Sequence, residues 1–316
     1  GHSCAQRKRW TRMVELKVPP VNVTGRNTRI IPVEFEYYEP RTLKEALMLL
    51  DEYGESARIL AGGTDLLVKI KARLVEPKVI INVKKVAGLN YVVEDGDLVR
   101  IGALARLRDL EKSEIVKKYL PALYDAVKLM GSVQIRNMAT IGGNLCNASP
   151  AADTAPPLLV HNAKALIAST SGERVVPLEE FFVGPGKTSM KPNEMLVEII
   201  AEKTGKGSSA FKKISRVSVD LAIASSAVYI DGEGGVVRDA RIALGSVAPK
   251  PIRARKTESL IRGLKLYSEE LREALNALEE EVSPITDARS TAEYRKYIVK
   301  VLTWDAINTA YERLVR

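Results

Sequence analysis

The first part of the chain combines a helical pattern of apolar residues with short, continuously apolar runs. Leucine and alanine recur at helical spacing after Thr42 and Glu45, which form a capping-box sequence. Residues 58–61 and 78–83 are apolar runs typical of buried strands, and residues 64 to about 74 form a second helical pattern between them. Strand, helix and strand in this order predict a parallel βαβ unit.

The middle of the chain changes to the pattern of an antiparallel sheet. Residues 91–101 alternate around a polar turn and predict a hairpin, and residues 113–130 predict a helix. Further strand-like runs follow at residues 163–169, 175–178 and 195–201. We therefore expect a second structural layer after the βαβ unit.

A polar, glycine-rich segment at residues 203–207 precedes a last region. Residues 221–230 and 236–245 are strand-like, residues 268–282 predict a helix, and Ser290 is predicted to cap a final one. This order favours an antiparallel sheet covered by helices.

These patterns predict an α+β protein in successive parts. Residues 1–32 carry little periodicity and are expected to be an N-terminal extension, tag or linker. Residues 33–205 form a first domain, with a βαβ subdomain at 33–86 and a second subdomain at 87–205. Residues 206–316 form a C-terminal α+β domain with an antiparallel sheet and helices.

The composition indicates a globular protein without a membrane span. Of the 316 residues, 46% are hydrophobic and 28% are charged, and no apolar run approaches the roughly 18 residues that a spanning helix needs. The N-terminus has no apolar signal core, and Cys4 and Cys146 form no ligand pair, so we expect free thiols, a cytoplasmic location and no metal on this chain. The net charge of +9 is scattered among acidic residues, which argues against nucleic-acid binding.

Two glycine-bearing segments are the strongest functional signal. Residues 61–65 (Ala-Gly-Gly-Thr-Asp) and 140–144 (Thr-Ile-Gly-Gly-Asn) each follow or join strand-like sequence. Glycine lets a ligand approach the backbone, and successive N–H groups in such a turn form an anion-binding concavity. One such segment is ordinarily a plain turn, whereas two of matching chemistry indicate one shared ligand, a pyrophosphate, held by bare N–H groups of both.

Both segments lie within longer motifs of a known family. Residues 59–67, and residues 134–145 with their continuation to residue 153, resemble the flavin motifs of the FAD-carrying medium subunit of the molybdenum hydroxylases. This family includes xanthine dehydrogenase, carbon monoxide dehydrogenase and aldehyde or glyceraldehyde oxidoreductases. Further matches follow in family order at residues 181–188, 194–196, 210–213, 220–222 and 290–295.

The resemblance implies a vanillyl-alcohol-oxidase-type (PCMH-like) FAD-binding domain in two subdomains, followed by the smaller α+β domain. It implies an oxidoreductase in which this chain carries FAD and transfers electrons, within a dimer of heterotrimers. A large subunit with a molybdenum cofactor would oxidise the substrate, and a small subunit with two 2Fe–2S clusters would relay electrons to this FAD and on to an external acceptor. Residues 184–188 depart from the pattern of xanthine dehydrogenases, which disfavours NAD as that acceptor.

The resemblance also assigns cofactor contacts by position. The two glycine segments would hold the FAD pyrophosphate, Asp153 and Ser149 would lie near the ribose, Leu196 and Met130 would pack near the flavin ring, and Lys212 would be a cationic contact. No catalytic residue is assigned to this chain. The predicted cofactor residues are Ala61, Gly62, Gly63, Thr64, Asp65, Thr140, Gly142, Gly143, Asn144, Ser149, Asp153, Leu196 and Lys212.

Each single residue also has a structural interpretation. Asp153 could cap the helix that starts after it, Thr64 and Thr140 could close turns, Leu196 could be a core residue, and Lys212 could be solvated.

Two polar residues outside the predicted set also need an interpretation. Arg136 could pair with a phosphate or with a structural carboxylate. His161, in an apolar helix, is predicted to be a hydrogen-bonded core residue, so no histidine-based catalytic set is expected.

Two alternative functions stay open at this point. One is a stand-alone FAD-dependent reductase of the same cofactor fold, and the other is a non-catalytic scaffold subunit.

Overall fold

The structure, a computed structural model, describes residues 33–316, so the predicted extension at residues 1–32 lies outside it. Three main sheets follow one another along this part of the chain, and helices pack on each of them. None of the helices in residues 33–316 has the length and apolarity needed to cross a membrane. The predicted boundaries at 86/87 and 205/206 fall between sheets and stay predictions.

The first sheet is parallel, with the strand order β1-β3-β2. Its middle strand β3 is buried along its whole length because both faces are covered: Val79 and Ile81 pack with the helix at residues 43–53, and Ile80 packs with Ile70 of the helix at residues 66–71. Strand β2, helix α2 and strand β3 confirm the predicted βαβ unit. The elements are β1 (Glu36–Tyr38), α1 (Leu43–Tyr53), β2 (Ala57–Leu60), α2 (Leu66–Lys71) and β3 (Val79–Asn82), with 3-10 turns at Gly54–Ser56 and Val83–Lys85.

The two helices of this layer differ in how well the sequence predicts them. The capping box of α1 is confirmed: Thr42 Oγ1 accepts from Glu45 N at 3.2 Å, and a Glu45 carboxylate oxygen accepts from Thr42 N at 3.3 Å. Helix α2 is shorter at both ends than the predicted range. It ends early because Arg73 adopts a left-handed backbone, with φ of 55°.

The second sheet is antiparallel, with the order β4-β5-β10-β6-β7. Its strands are β4 (Val92–Asp95), β5 (Leu98–Gly102), β6 (Lys164–Ser169), β7 (Gly172–Pro177) and β10 (Met195–Glu202), and β8 (Phe182–Gly184) and β9 (Lys187–Thr188) form a separate hairpin. The helices are α3 (Leu107–Lys112), α4 (Glu114–Tyr119), α5 (Pro121–Lys128), α6 (Val133–Met138), α7 (Ile141–Cys146), α8 (Ala155–Val160) and α9 (Leu178–Phe181). These strands confirm the predicted hairpin and the strands that follow it.

The single helix predicted at residues 113–130 is wrong. Two helices, α4 and α5, occupy this range, and Leu120 leaves the helical conformation between them, with φ of −130° and ψ of 55°. Pro121 causes the break, since it has no backbone N–H to donate into α4 but suits the first position of a new helix.

The third sheet is antiparallel, with the order β11-β12-β13-β14. Its apolar face packs against the long helix α13, which buries Val299, Leu302, Ala306 and Ile307. The elements are β11 (Ser208–Ile214), β12 (Ala224–Glu233), β13 (Val236–Gly245), β14 (Ile252–Arg253), α10 (Arg255–Ile261), α11 (Glu269–Ala274), a 3-10 turn (Leu275–Ala277), α12 (Leu278–Glu281) and α13 (Ala292–Val315).

Two predictions for this region need correction. The helix predicted at residues 268–282 is divided into α11 and α12 by the 3-10 turn. The last helix is capped by Thr291 and not by Ser290, because Thr291 Oγ1 accepts from Tyr294 N at 3.2 Å.

His161 joins the second and third layers, as a hydrogen-bonded core residue. It is 1% exposed, with Nδ1 at 2.7 Å from the carbonyl oxygen of Glu202 and Nε2 at 2.8 Å from Ser209 Oγ. Burial lowers the pKa of His161 to about 4. The neutral ring therefore donates from Nδ1 to the carbonyl and accepts the Ser209 hydroxyl at Nε2.

Candidate functional site

A cavity of about 680 Å³ lies beside both glycine segments. The two segments meet: a Cβ on Gly62 would lie 2.2 Å from the Met138 carbonyl oxygen and 2.9 Å from Ala139 Cα, directly before Thr140. Of the predicted cofactor residues, all except Ser149 and Lys212 line the wall. Those on the wall are Ala61, Gly62, Gly63, Thr64, Asp65, Thr140, Gly142, Gly143, Asn144, Asp153 and Leu196.

The first glycine segment connects the end of β2 to the start of α2. Its backbone turns at Gly63, whose φ of +77° suits glycine. The backbone N–H groups of Gly62, Gly63, Thr64 and Asp65 have no acceptor within residues 33–316. Four consecutive unpaired donors on a cavity wall have the chemistry of an anion-binding surface, so the binding role that the sequence predicts for this segment stays a prediction.

The second glycine segment is not a loop, and the N–H groups of its residues 141–144 all donate to acceptors within the chain. Thr140 caps α7, and Gly142 and Gly143 lie within that helix. Gly142 N donates to Ala103 O at 2.9 Å, Gly143 N to Thr140 Oγ1 at 3.0 Å, and Asn144 N to Thr140 O at 3.0 Å. The prediction of bare N–H groups is therefore wrong for this segment.

The glycines serve different purposes. Gly62 and Gly142 allow close backbone packing, since a Cβ on Gly142 would lie 2.6 Å from the Ala103 carbonyl oxygen. A Cβ on Gly143 would meet only Thr140 Oγ1, at 2.9 Å, among residues 33–316. Its remaining side is open toward the cavity, so here the absence of a side chain leaves room for a ligand.

Asp153 lies in a buried ion pair on the wall. Its Oδ2 accepts from Lys213 Nζ at 2.7 Å, and the two side chains are 6% and 4% exposed. Its Oδ1 is buried without a hydrogen-bond partner in residues 33–316, and burial raises the pKa of the carboxyl more than Lys213 lowers it. The capping interpretation is wrong, since Thr154 is the N-cap of α8 and that helix has no side-chain cap.

Two predicted cofactor residues lie away from the wall. Ser149 Oγ accepts from Ala151 N at 3.2 Å within its own turn. Lys212 and Lys213 are consecutive on β11 and so point to opposite faces of the sheet, and Lys213 is the one that lines the cavity. The sequence contains both lysines but does not indicate which face of the strand is turned inward.

Arg136 pairs with a structural carboxylate. Its Nε donates to Glu111 Oε2 at 3.0 Å, while NH1 donates to the carbonyl oxygens of Met130 at 2.9 Å and Gly131 at 3.1 Å. Met130, Gly131 and Leu196 all line the cavity, and Leu196 is also 3% exposed. Arg136 thus fixes a turn of the wall, and Leu196 serves both the core and the wall.

The cavity wall also contains polar residues that the sequence did not single out, among them Lys69, Asn147 and Cys146. Lys69 Nζ donates to Asn147 Oδ1 at 2.5 Å and so links α2 to the residue directly after α7. Cys146 also lines the wall, and burial raises the pKa of its thiol to about 12, so it is no nucleophile at neutral pH. Helical spacing could have identified Lys69, which lies one turn after Asp65.

Comparison with known families explains this arrangement. Residues 33–201 match the FAD binding domain in molybdopterin dehydrogenase, and residues 209–310 match the CO dehydrogenase flavoprotein C-terminal domain. The chain belongs to this family. The fold predicted from the resemblance, an FAD-binding domain followed by an α+β domain, is confirmed.

Relatives of this molybdopterin dehydrogenase family match almost the full length of the chain. The glyceraldehyde dehydrogenase medium chain of Sulfolobus acidocaldarius is 36% identical over 87% of this chain and 98% of its own length. The carbon monoxide dehydrogenase medium chain of Hydrogenophaga pseudoflava is 34% identical over 90% and 99%. A solved structure of the Hydrogenophaga pseudoflava carbon monoxide dehydrogenase superposes with a TM-score of 0.86 at 34% identity, covering 89% of this chain and 98% of that one.

The cavity fits the FAD that the family implies. The four unpaired N–H groups suit a diphosphate, and the partnerless Oδ1 of Asp153 suits a hydroxyl donor such as a ribose. The open side of Gly143, on α7, leaves room for such a ligand beside that helix.

Proposed function

We propose that this chain is the FAD-carrying electron-transfer subunit of a molybdenum-containing hydroxylase or dehydrogenase. The observation that carries the proposal is a single cavity wall that contains both the four residues with unpaired N–H groups, 62–65, and Asp153, whose buried Oδ1 has no hydrogen-bond partner in residues 33–316. A diphosphate next to a ribose satisfies both sets of atoms. Membership in a family of FAD-binding domains supports this ligand.

In this proposal the side chains of the cavity bind and orient the cofactor, and neither Cys146 nor His161 acts on it as an acid or a base. The Cys146 thiol stays protonated, and His161 is buried between layers, outside the wall. The N–H groups of residues 62–65 would hold the diphosphate, Asp153 would accept a ribose hydroxyl with Lys213 fixing its carboxylate, and Arg136 would hold the turn at Met130. When bound, the flavin supplies the electron transfer between a reduced partner and an external acceptor.

The relatives support a multi-subunit enzyme. Several are called medium chains or FAD subunits of dehydrogenases for glyceraldehyde, carbon monoxide, xanthine or nicotinate. The proposal therefore places substrate oxidation on a large subunit with a molybdenum cofactor. A small subunit with two 2Fe–2S clusters would deliver electrons to this chain, in a cytoplasmic dimer of heterotrimers.

The test is to purify the complex from its native source through this chain and analyse its contents. We expect one FAD per chain after denaturation and chromatography, together with molybdenum and iron in partner subunits. Reduction of the iron–sulfur subunit should bleach the flavin absorbance in stopped-flow measurements. A chain that retains FAD but associates with no molybdenum subunit would contradict the electron-transfer role, and one that takes up no FAD would contradict the cofactor assignment.

A further inference from the structure

Lys69 connects the helix that follows the first glycine segment to the end of the helix that contains the second. It lies on α2, one turn after Asp65, and its Nζ donates to the side-chain oxygen of Asn147, the residue directly after α7. Both Lys69 and Asn147 line the cavity. The ammonium group is therefore held at the junction of the two segments.

The charge of Lys69 is not neutralised by an ion pair. The ion pairs made by wall residues are Asp153–Lys213, Glu194–Arg174 and Asp220–Arg216. Arg58, also on the wall, donates to the backbone carbonyl oxygens of Glu55, in the 3-10 turn after α1, and Ala57, at the start of β2. Within residues 33–316, Lys69 makes no ion pair even with Asp65, and its hydrogen-bond partner Asn147 is a neutral amide. A neutral partner orients the ammonium without cancelling its charge.

We propose that Lys69 is a direct cationic ligand of the FAD diphosphate and that Asn147 positions it. The inference rests on the proposed function, in which the cavity holds FAD. The N–H groups of residues 62–65 provide dipoles but no full charge, whereas a diphosphate is dianionic. An ammonium hydrogen bond to a phosphate oxygen is charge-assisted and so stronger than a neutral one.

The experiment titrates FAD into the flavin-free full chain and follows flavin fluorescence. Lys69→Met should weaken FAD binding by about tenfold to a hundredfold, the range for a hydrogen bond to a charged group. Lys69→Arg should stay within a few-fold of the parent. Lys71→Met is the matched control, because Lys71 lies on the same helix but is exposed and outside the wall.

Asn147→Asp separates the charge of Lys69 from its bridge. The new carboxylate keeps a partner for Lys69 and strengthens the bridge, but it neutralises the ammonium beside the diphosphate. We expect FAD binding to weaken at least tenfold, with a smaller dependence of affinity on salt concentration than in the parent.

Parent-like FAD affinity in Asn147→Asp would overturn the proposal, since the bridge alone would then be sufficient. The melting temperature of each flavin-free variant shows whether it folds, and if Lys69→Met does not, Asn147→Asp and Lys69→Arg decide the question. If the parent chain binds no FAD in the same titration, the proposed function itself is refuted. If the parent binds FAD and Lys69→Met binds it equally tightly, only the role of Lys69 is refuted.

Discussion

Replacing Asp153 with alanine should weaken both the fold and FAD binding, for different physical reasons. The change removes the carboxylate that pairs with Lys213 Nζ at 2.7 Å. The Lys213 side chain, which is only 4% exposed, then has no counter-charge. Removing one partner of a buried ion pair costs about 3–5 kcal/mol. The change also removes the partnerless Oδ1 that we assign to a ribose hydroxyl.

The stability loss converts to a shift in melting temperature. With about 2.1 cal/mol/K of unfolding entropy per residue, a chain of 316 residues has about 0.66 kcal/mol/K, so the loss corresponds to roughly 5–8 °C. Scanning calorimetry of the flavin-free chain measures it. Adding Lys213→Met should recover most of this stability, because the uncompensated charge is then gone.

FAD binding should behave differently in the double variant. We expect Asp153→Ala to bind FAD tenfold to hundredfold more weakly, which corresponds to the free energy of one hydrogen bond to a charged group. Adding Lys213→Met should not restore the affinity for FAD. Stability that the second change does not restore would refute the ion-pair reasoning. Parent-like FAD affinity in the refolded double variant would refute the assignment of Oδ1 as a ligand acceptor.

Three further predictions follow from single contacts. The pKa of His161 is about 4 in the folded chain and about 6.5 in the unfolded chain, so the unfolded chain takes up the proton first as the pH falls. The free energy of unfolding should therefore decrease by about 3 kcal/mol between pH 6.5 and pH 4. In thermal melts, His161→Gln should show a smaller dependence of stability on pH over this range. Gly62→Ala should lower the melting temperature and the FAD content because its Cβ would overlap the Met138 carbonyl oxygen, while Gly184→Ala, with open space around it, should change neither. Arg136→Met leaves the buried Glu111 carboxylate with one fewer partner and should lower the free energy of unfolding by about 3 kcal/mol in denaturant titrations. It should also shift the absorbance spectrum of bound flavin, because the turn at Met130 loses its hydrogen bond. An unchanged spectrum would argue against the role of Arg136 in fixing this turn.

The sequence predicts the elements whose signals are local. The capping box at Thr42 and the strand pattern on either side of α2 need only neighbouring residues, and both are confirmed. The break at Pro121 was also visible in the sequence, but the apolar periodicity continues through it and hides two helices in one range. Helix ends such as Arg73 depend on a single left-handed residue, which no periodicity indicates.

The site is predictable in outline and not in its bonding. The motifs bring the right segments to one cavity, but whether an N–H group is free depends on an acceptor far away in the chain. The carbonyl of Ala103 takes the N–H of Gly142, and nothing near Gly142 in the sequence reveals that. The choice between Lys212 and Lys213 likewise depends on which face of β11 turns toward Asp153.

The position of Lys213 bears on how this protein can be divided. The FAD-binding match ends at residue 201, yet β11, which begins at Ser208, supplies the cation that holds Asp153. A fragment cut at the family boundary would carry every glycine of both segments but would lack the ion-pair partner of that carboxylate. The C-terminal layer is thus a structural part of the cavity wall, and we expect the unit that retains flavin to be larger than the domain that the family model matches.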